Sequence, residues 1–286
     1  MTIQSAQQEV LVQLKLLYDD REAANIADWV MEHITGKKRI DRLMDKQAAL
    51  SEIQLSRLQS ILAELATHKP IQYVLGEAWF AGSKYYVNES VLIPRPETEE
   101  LIEWTAETIQ NSKFKIQNLI DIGTGSGCIP ISLKKKLPQI AVTSIDVSGE
   151  ALKVARQNAE TLNTEINFLQ LDFLNEANWD QLPVFDIIVS NPPYIKQSEE
   201  ASMSKNVLAF EPSLALFVPD EDALLFYRKI ALFAKAHLST QGFIFLEINE
   251  ALGKEVIRLF KSSGYEVELR KDMQGRDRMI KANLKI

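Results

Sequence analysis

Apolar positions along the first 70 residues recur at three- and four-residue intervals. Val10, Leu11, Leu14, Leu17 and Tyr18 share one helical face, and Ile26, Trp29, Val30, His33 and Ile34 share another that Gly36 stops. Ser51-Glu52-Ile53-Gln54 has the form of a capping box ahead of Leu58, Ile61, Leu62 and Leu65, and Pro70 closes the segment. This spacing predicts a small helical bundle over residues 1–75. His33 and His68 belong to no catalytic cluster in it and read as packing or surface residues. The period then changes. Trp79-Phe80 and Tyr85-Tyr86-Val87, on either side of a turn at Gly82, predict a β-hairpin that links the bundle to a larger domain, with the linker spanning residues 76–93.

From residue 94 to 286 the pattern is that of one α/β domain. Pro94-Arg95-Pro96 introduces a helix near Glu97, whose acidic first turn suits the helix dipole. Strands are predicted at 118–122, 140–145, 166–171 and 185–190, with helices at 128–136 and 148–162 among them. Further on, 222–237 reads as helix, 243–248 as strand and 251–263 as helix, and 265–270 with 278–282 as a closing antiparallel pair. Strands alternating with helices imply a parallel sheet with helices on both faces. Residues 196–218 are polar and irregular, as a lid on the substrate side would be.

Composition narrows the class. Lys and Arg number 32 against 39 Asp and Glu, a net charge of -7, which argues against a general electrostatic grip on nucleic acid. Cys128 is the single cysteine, so no intramolecular disulfide forms. No apolar run is long enough to span a bilayer and the first residues lack the form of a signal peptide, so the reading is a cytoplasmic protein with no membrane partner. It is taken as a monomer without a metal.

Two stretches carry chemistry. The apolar run Phe185 to Ser190 is cut off by Asn191-Pro192-Pro193-Tyr194. Prolines lack the N–H of a sheet ladder, so the strand stops and a stiff turn presents Asn191 and Tyr194 at its carboxyl end. The Asn191 side-chain carbonyl and the Pro192 carbonyl can accept both N–H bonds of a planar –NH2 group while Tyr194 stacks on its face. Asn-Pro alone would mark only a turn. The second stretch is Asp121-Ile122-Gly123-Thr124-Gly125-Ser126-Gly127, a glycine loop between a strand and a helix. The dinucleotide fingerprint fails here, because its third glycine would fall on Cys128 or Pro130. Asp146 ends the next strand about 20 residues on, the usual place of a ribose-binding carboxylate. Asp172-Phe173 ends the third, where a carboxylate and a ring can meet an adenine. Cys128 reads as a small packing residue. Arg95, held between two prolines, is a surface charge or an anchor for the site or its substrate.

The Asn-Pro-Pro-Tyr turn resembles that of methyltransferases acting on amide or exocyclic nitrogen. Together with Leu92-Ile93-Pro94-Arg95-Pro96-Glu97-Thr98-Glu99, Pro70 to Gly76 and Lys271 to Arg278, the chain is similar along nearly its whole length to the HemK/PrmC family. That resemblance implies a Rossmann-like class I methyltransferase sheet and S-adenosylmethionine as cofactor, with S-adenosylhomocysteine as product. It implies methylation of the Gly-Gly-Gln glutamine amide (N5) in class-1 peptide release factors, and a helical domain that recognises them. It sets Gly123, Thr124, Gly125, Ser126 and Gly127 against the methionine part, Asp146 on the ribose, Asp172 and Phe173 at the adenine, and Asn191 near the methyl group. Asn191, Pro192 and Tyr194 would be catalytic, with Pro193 and Arg95 at the substrate. Rival readings are a ribosomal-protein glutamine methyltransferase, an adenine-N6 methyltransferase of nucleic acid, which would want a flipping pocket and a basic channel, and a binding module without catalysis.

Overall fold

The computed structural model describes residues 1–203 and 205–285 of the chain. They form two compact units: Met1–Glu77 with the short helix Lys205–Phe210, and residues 78–203 with 211–285.

The first unit is built from α1 (Ile3–Leu14), α2 (Asp20–Thr35), α3 (Arg39–Met44), α4 (Glu52–Leu65) and α5 (Ile71–Leu75). Its helices end where local chemistry stops them. The Asp19 carboxylate accepts from the N–H groups of Arg21 and Glu22, Gly36 closes α2 in the left-handed region at φ 65°, and Ser51 and Gln54 cap α4 reciprocally. Ile3, Val10, Leu14, Ile26, Val30, Ile34, Leu58, Ile61 and Leu65 bury one shared core. Two expectations change. The helical face read through Tyr18 breaks after Leu14, where the N–H groups of Leu17 and Tyr18 both fold back to the Leu14 carbonyl at 2.9 Å. Pro70 does not end the helical segment but caps α5, since a proline costs nothing where no intrahelical N–H bond is needed.

The second unit opens with β1 (Ala78–Phe80) and β2 (Ser83–Tyr85), an antiparallel hairpin turning through Ala81 at φ 46° and Gly82 at φ 71°. The hairpin expected as a linker is part of this unit, and Phe80 and Tyr85 are buried in its core. Then follow α6 (Pro96–Gln110), β3 (Asn118–Ile122), α7 (Cys128–Lys136), β4 (Ala141–Asp146), α8 (Gly149–Thr161), β5 (Asn167–Gln170) and β6 (Phe185–Ser190). Beyond the proline turn, β7 (Ile195–Lys196) pairs with β8 (Phe217–Val218), and α9 (Lys205–Phe210) and α10 (Ser213–Leu216) lie between them in sequence. The expected irregular stretch is thus partly ordered. The unit closes with α11 (Leu225–His237), β9 (Leu238–Glu247), α12 (Gly253–Ser262), β10 (Tyr265–Lys271) and β11 (Asp277–Leu284).

Seven strands form one sheet in the order β10-β11-β9-β6-β3-β4-β5. Five are parallel, and β11 runs antiparallel to both β9 and β10. Strand alternation separates two cores: Ile120, Ile188 and Ile244 face α11 and α12, while Leu119, Ile187, Val189 and Phe245 face α6 and α7. Asp186, the one charge in β6, is structural. Its carboxylate accepts from the N–H groups of Gln117 and Asn118 and from the Ser239 hydroxyl, fastening β3, β6 and β9 at their amino-terminal end. The fold is a Rossmann-like sheet with helices on both faces. No helix of the described residues is long and apolar enough to cross a membrane.

Close packing of α7 on α8 depends on Gly127. A Cβ there would stand 2.9 Å from Ile131 Cδ1 and 3.1 Å from Ala155 Cβ, and the residue sits at φ 80°. Gly127→Ala is expected to cost roughly 2–4 kcal/mol, from left-handed strain added to overpacking. Urea unfolding followed by a probe in this unit, with an unchanged slope and a lowered midpoint, checks it.

Candidate active site

The carboxyl ends of β3, β4, β5 and β6 open onto a cavity of about 360 Å³. Strand order reverses here, with β4 and β5 on one side of β3 and β6 on the other, which leaves a crevice between the loops that follow β3 and β6. Among the residues expected from sequence, Gly123 to Ser126, Asp146, Asp172, Phe173, Asn191, Pro192, Pro193 and Arg95 all line the cavity. Gly127 and Tyr194 do not. Gly127 is held in the packing of α7 on α8. Tyr194 is half-buried against the sheet's core, and burial pushes its hydroxyl well above the usual phenol range.

The glycine loop is shaped by the neighbouring strand. The N–H groups of Gly123 and Thr124 both donate to the Ile145 carbonyl, at 2.9 and 3.1 Å. Gly123 and Gly125 have positive φ, and open space stands where a Cβ would project from either. Beneath the loop, the Thr124 hydroxyl meets that of Ser144 at 2.6 Å, and Ser144 donates to Asp121 Oδ2 at 2.6 Å. Asp121 is fully buried, and its Oδ1 has no hydrogen-bond partner among the described residues. Burial pushes this carboxyl up to about 8.

Asp146 closes the loop's far side. Its Oδ2 accepts from the Gly125 N–H and its Oδ1 from the Ser148 N–H, both at 2.9 Å. Each oxygen keeps a lone pair for a further donor, so the pair suits two neighbouring hydroxyls. Ile145, Leu171 and Phe173 supply an apolar wall beside it, the right chemistry for a flat ring. The Phe173 ring itself is largely committed to the core, 5.4 Å from the rings of Trp179 and Phe233, so only part of it reaches the cavity. Asp172 is exposed and accepts from the Leu174 N–H at 3.0 Å. The open glycine cradle, the Asp146 carboxylate with lone pairs to spare and the apolar wall together fit a nucleoside-bearing ligand. Cys128 lines the same cavity, and burial pushes its thiol up to about 12, so it stays protonated and inert.

Across the cavity, Asn191 donates from Nδ2 to Thr98 Oγ1 at 3.2 Å, and Thr98 donates to Glu247 Oε2 at 2.6 Å. Glu247, the last residue of β9, is 2% exposed, and burial pushes its carboxyl up to about 7 against the pull of the Thr98 hydrogen bond. Arg95 is not a free surface charge. One guanidinium nitrogen lies 2.7 and 2.8 Å from the two oxygens of buried Glu211, the residue before Pro212, Leu214 and Ala215 of the cavity wall. Thr98, Ser144, Glu211 and Glu247 were not singled out from sequence. The signal present was Glu247 itself, a carboxylate at the end of the buried run Phe243-Ile244-Phe245-Leu246.

The family model of the methyltransferase small domain matches residues 103–211, and that of the PrmC N-terminal domain matches residues 6–76. A protein of Flavobacterium psychrophilum named release factor glutamine methyltransferase is 44% identical over 287 residues, spanning 100% of each chain. One of Bacteroides thetaiotaomicron with the same name is 41% identical over 94% of this chain and 96% of its own. The crystal structure of a methyltransferase from Pyrococcus furiosus superposes with a TM-score of 0.51, over 80% of this chain and 99% of that one, at 20% identity. At that identity the likeness speaks for the fold alone.

Two buried acids give the site a pH signature. Asp121 and Glu247 hold protons more tightly folded (about 8 and about 7) than at their ordinary values of 3.8 and 4.5. Their contribution is therefore full below the ordinary values and is lost as pH rises through 7 and 8. Between pH 6 and 8.5 the loss is about 1 kcal/mol through Glu247 and about 2–3 through Asp121. Melting curves across that range should fall less steeply for Asp121→Asn than for the unaltered protein; parallel curves would count against the buried-acid origin.

Proposed function

The chain belongs to the release factor glutamine methyltransferase family, and from that premise we propose how its Asn191 turn serves methyl transfer to a release factor glutamine. The acceptor is the side-chain amide nitrogen (N5) of the glutamine in a Gly-Gly-Gln sequence of a class-1 release factor. The donor is S-adenosylmethionine, held by Gly123 to Ser126, Asp146 and the wall at Leu171 to Phe173. When bound, it supplies a methyl group already activated on a sulfonium and leaves as S-adenosylhomocysteine. The observation that carries this reading is the shared cavity: the amide-accepting turn and the nucleoside-fitting loop line the same 360 Å³.

What remains for the protein is to position a poor nucleophile. An amide nitrogen shares its lone pair with its carbonyl. The Asn191 side-chain oxygen and the Pro192 carbonyl accept its two N–H bonds and orient the nitrogen. As the nitrogen gains positive charge in the transition state, its N–H groups donate more strongly, so the same contacts tighten there. No general base is required before transfer, because the proton becomes acidic afterwards. Arg95 acts from behind, holding the wall at Pro212 through Glu211. Tyr194, expected to stack on the amide, supports the turn from the core side. The helical unit, where the PrmC N-terminal model matches, holds the protein substrate.

Mass spectrometry of a release factor incubated with the protein and labelled S-adenosylmethionine tests the reading directly, and a single added methyl on the Gly-Gly-Gln glutamine is the expected product. Asp146→Ala should weaken cofactor binding more than tenfold by calorimetry, through loss of charge-assisted bonds to the ribose. Asn191→Ala should slow single turnover roughly 10²- to 10³-fold, as removal of an oxyanion-hole donor does. Asn191→Asp keeps an acceptor of the same shape and should retain more activity than alanine. Equal rates for the two variants would remove the acceptor role.

A further inference from the structure

We infer that Thr98 and Glu247 are positioning residues that decide which end of the Asn191 amide faces the substrate. The inference rests on the methyl-transfer reading above, in which only the oxygen end of that amide is useful.

An asparagine amide is nearly the same shape at both ends. Its oxygen accepts and its nitrogen donates, so only hydrogen-bond partners distinguish the two orientations. In the wrong orientation, Asn191 would offer an –NH2 group to the –NH2 group of the substrate. Donor would then face donor, and the reacting nitrogen would be repelled rather than held. The turn fixes where the side chain is, but proline stiffness says nothing about which end of the amide points inward.

Thr98 supplies that choice. A hydroxyl carries one proton, and that of Thr98 is committed to Glu247 Oε2 at 2.6 Å. Toward Asn191 it therefore presents only lone pairs, and Nδ2 meets them at 3.2 Å. A flipped Asn191 would set its oxygen against those same lone pairs. The chain of bonds thus runs in one direction, from Asn191 to Thr98 to Glu247, and leaves Oδ1 for the cavity that Asn191 lines.

Both partners are held rigidly. Thr98 is 2% exposed in the first turn of α6, behind Pro96, and Glu247 is 2% exposed at the end of β9. Burial raises the Glu247 carboxyl to about 7, against the Thr98 hydrogen bond and the charges of Arg278 and Arg95, so above that pH it is a carboxylate that can only accept. A carboxylate buried so fully costs several kcal/mol of solvation, and replacing such groups by apolar ones is often neutral or stabilising. Packing alone gives no reason for an acid at this place, whereas a fixed acceptor for the Thr98 proton does.

The test is a double-mutant cycle read by single-turnover methyl transfer to a release factor, with saturating cofactor and substrate. Thr98→Val removes the hydroxyl and keeps the shape. It should slow transfer roughly tenfold and leave cofactor affinity within about twofold, while Thr98→Ser should stay within about threefold of the unaltered protein. In an Asn191→Asp background the two ends of residue 191 are alike, and Thr98→Val should change the rate less than about twofold. A merely structural Thr98 would slow both backgrounds equally. Should Thr98→Val fail to bind cofactor, Glu247→Leu takes its place. It frees the Thr98 proton to point either way and should slow transfer by a similar factor. An active unaltered protein with a fast Thr98→Val or Glu247→Leu, with serine as slow as valine, or with no difference between backgrounds overturns the inference alone. An unaltered protein that transfers no methyl group overturns the functional reading as well.

Discussion

A parallel sheet with both faces buried has almost nowhere to place polar chemistry. Its strands are apolar on both sides, as Leu119 and Ile120, Ile187 and Ile188, and Ile244 and Phe245 are, each pair divided between two cores. Polar groups inside such a layer find partners, leave it or, like Asp121 with its unpartnered Oδ1, hold a proton at a raised pKa. Asp186 finds them at the amino-terminal end, where it fastens three strands. The rest of the polar apparatus gathers at the opposite end, just as each strand finishes: Gly123 after β3, Asp146 at the end of β4, Asp172 after β5, Asn191 after β6 and Glu247 at the end of β9. The reversal of strand order beside β3 then opens the crevice these residues share. The site follows from the layer's intolerance of unpaired polar groups.

Within that row the protein accepts groups that its stability would be better without. Asp121 and Glu247 are buried acids with raised proton affinity, and Glu211 is a buried acid held by Arg95. Each ties a functional loop to a rigid element. Asp121 reaches the glycine loop through Ser144 and Thr124. Glu247 reaches Asn191 through Thr98, and Glu211 ties the Pro212 wall to the start of α6. Three separate loops are thereby referenced to strands and to one helix.

Much of this was legible in the sequence because the signals were local. Pro192 and Pro193 terminate β6, Gly36 and Ser51 punctuate helices, and Gly123 to Gly127 follow a strand; each acts on its own few neighbours. Asp146 was placed by counting along one strand–helix–strand unit. What could not be read was set by residues far apart in the chain. Thr98 meets Glu247 across 149 residues and Arg95 meets Glu211 across 116, and neither pair has a spacing that a helix or strand period would reveal. Phe173 and Tyr194 show the same limit from the other side. Their types suggested ring stacking on a ligand, but the core claims most of Phe173 and Tyr194 packs beneath its turn. Gly127 sits in the same motif as Gly123 and Gly125, yet its glycine is required by Ala155 of the next helix.

The paired prolines after Asn191 bear on the temperature response of the reaction. Two consecutive residues with φ fixed by their rings leave the turn few alternative shapes, in the folded chain and in the unfolded one alike. On the proposed mechanism, with the backbone of the turn set by the prolines and the Asn191 side chain held by Thr98, the two acceptors are ordered before any substrate arrives and little is left to be lost on the way to the transition state. The activation barrier of such a site should be mainly enthalpic, arising from the bonds that change at nitrogen and carbon rather than from a search through conformations. An enzyme built on a glycine-rich turn at this position would have to freeze its acceptors anew in each catalytic cycle.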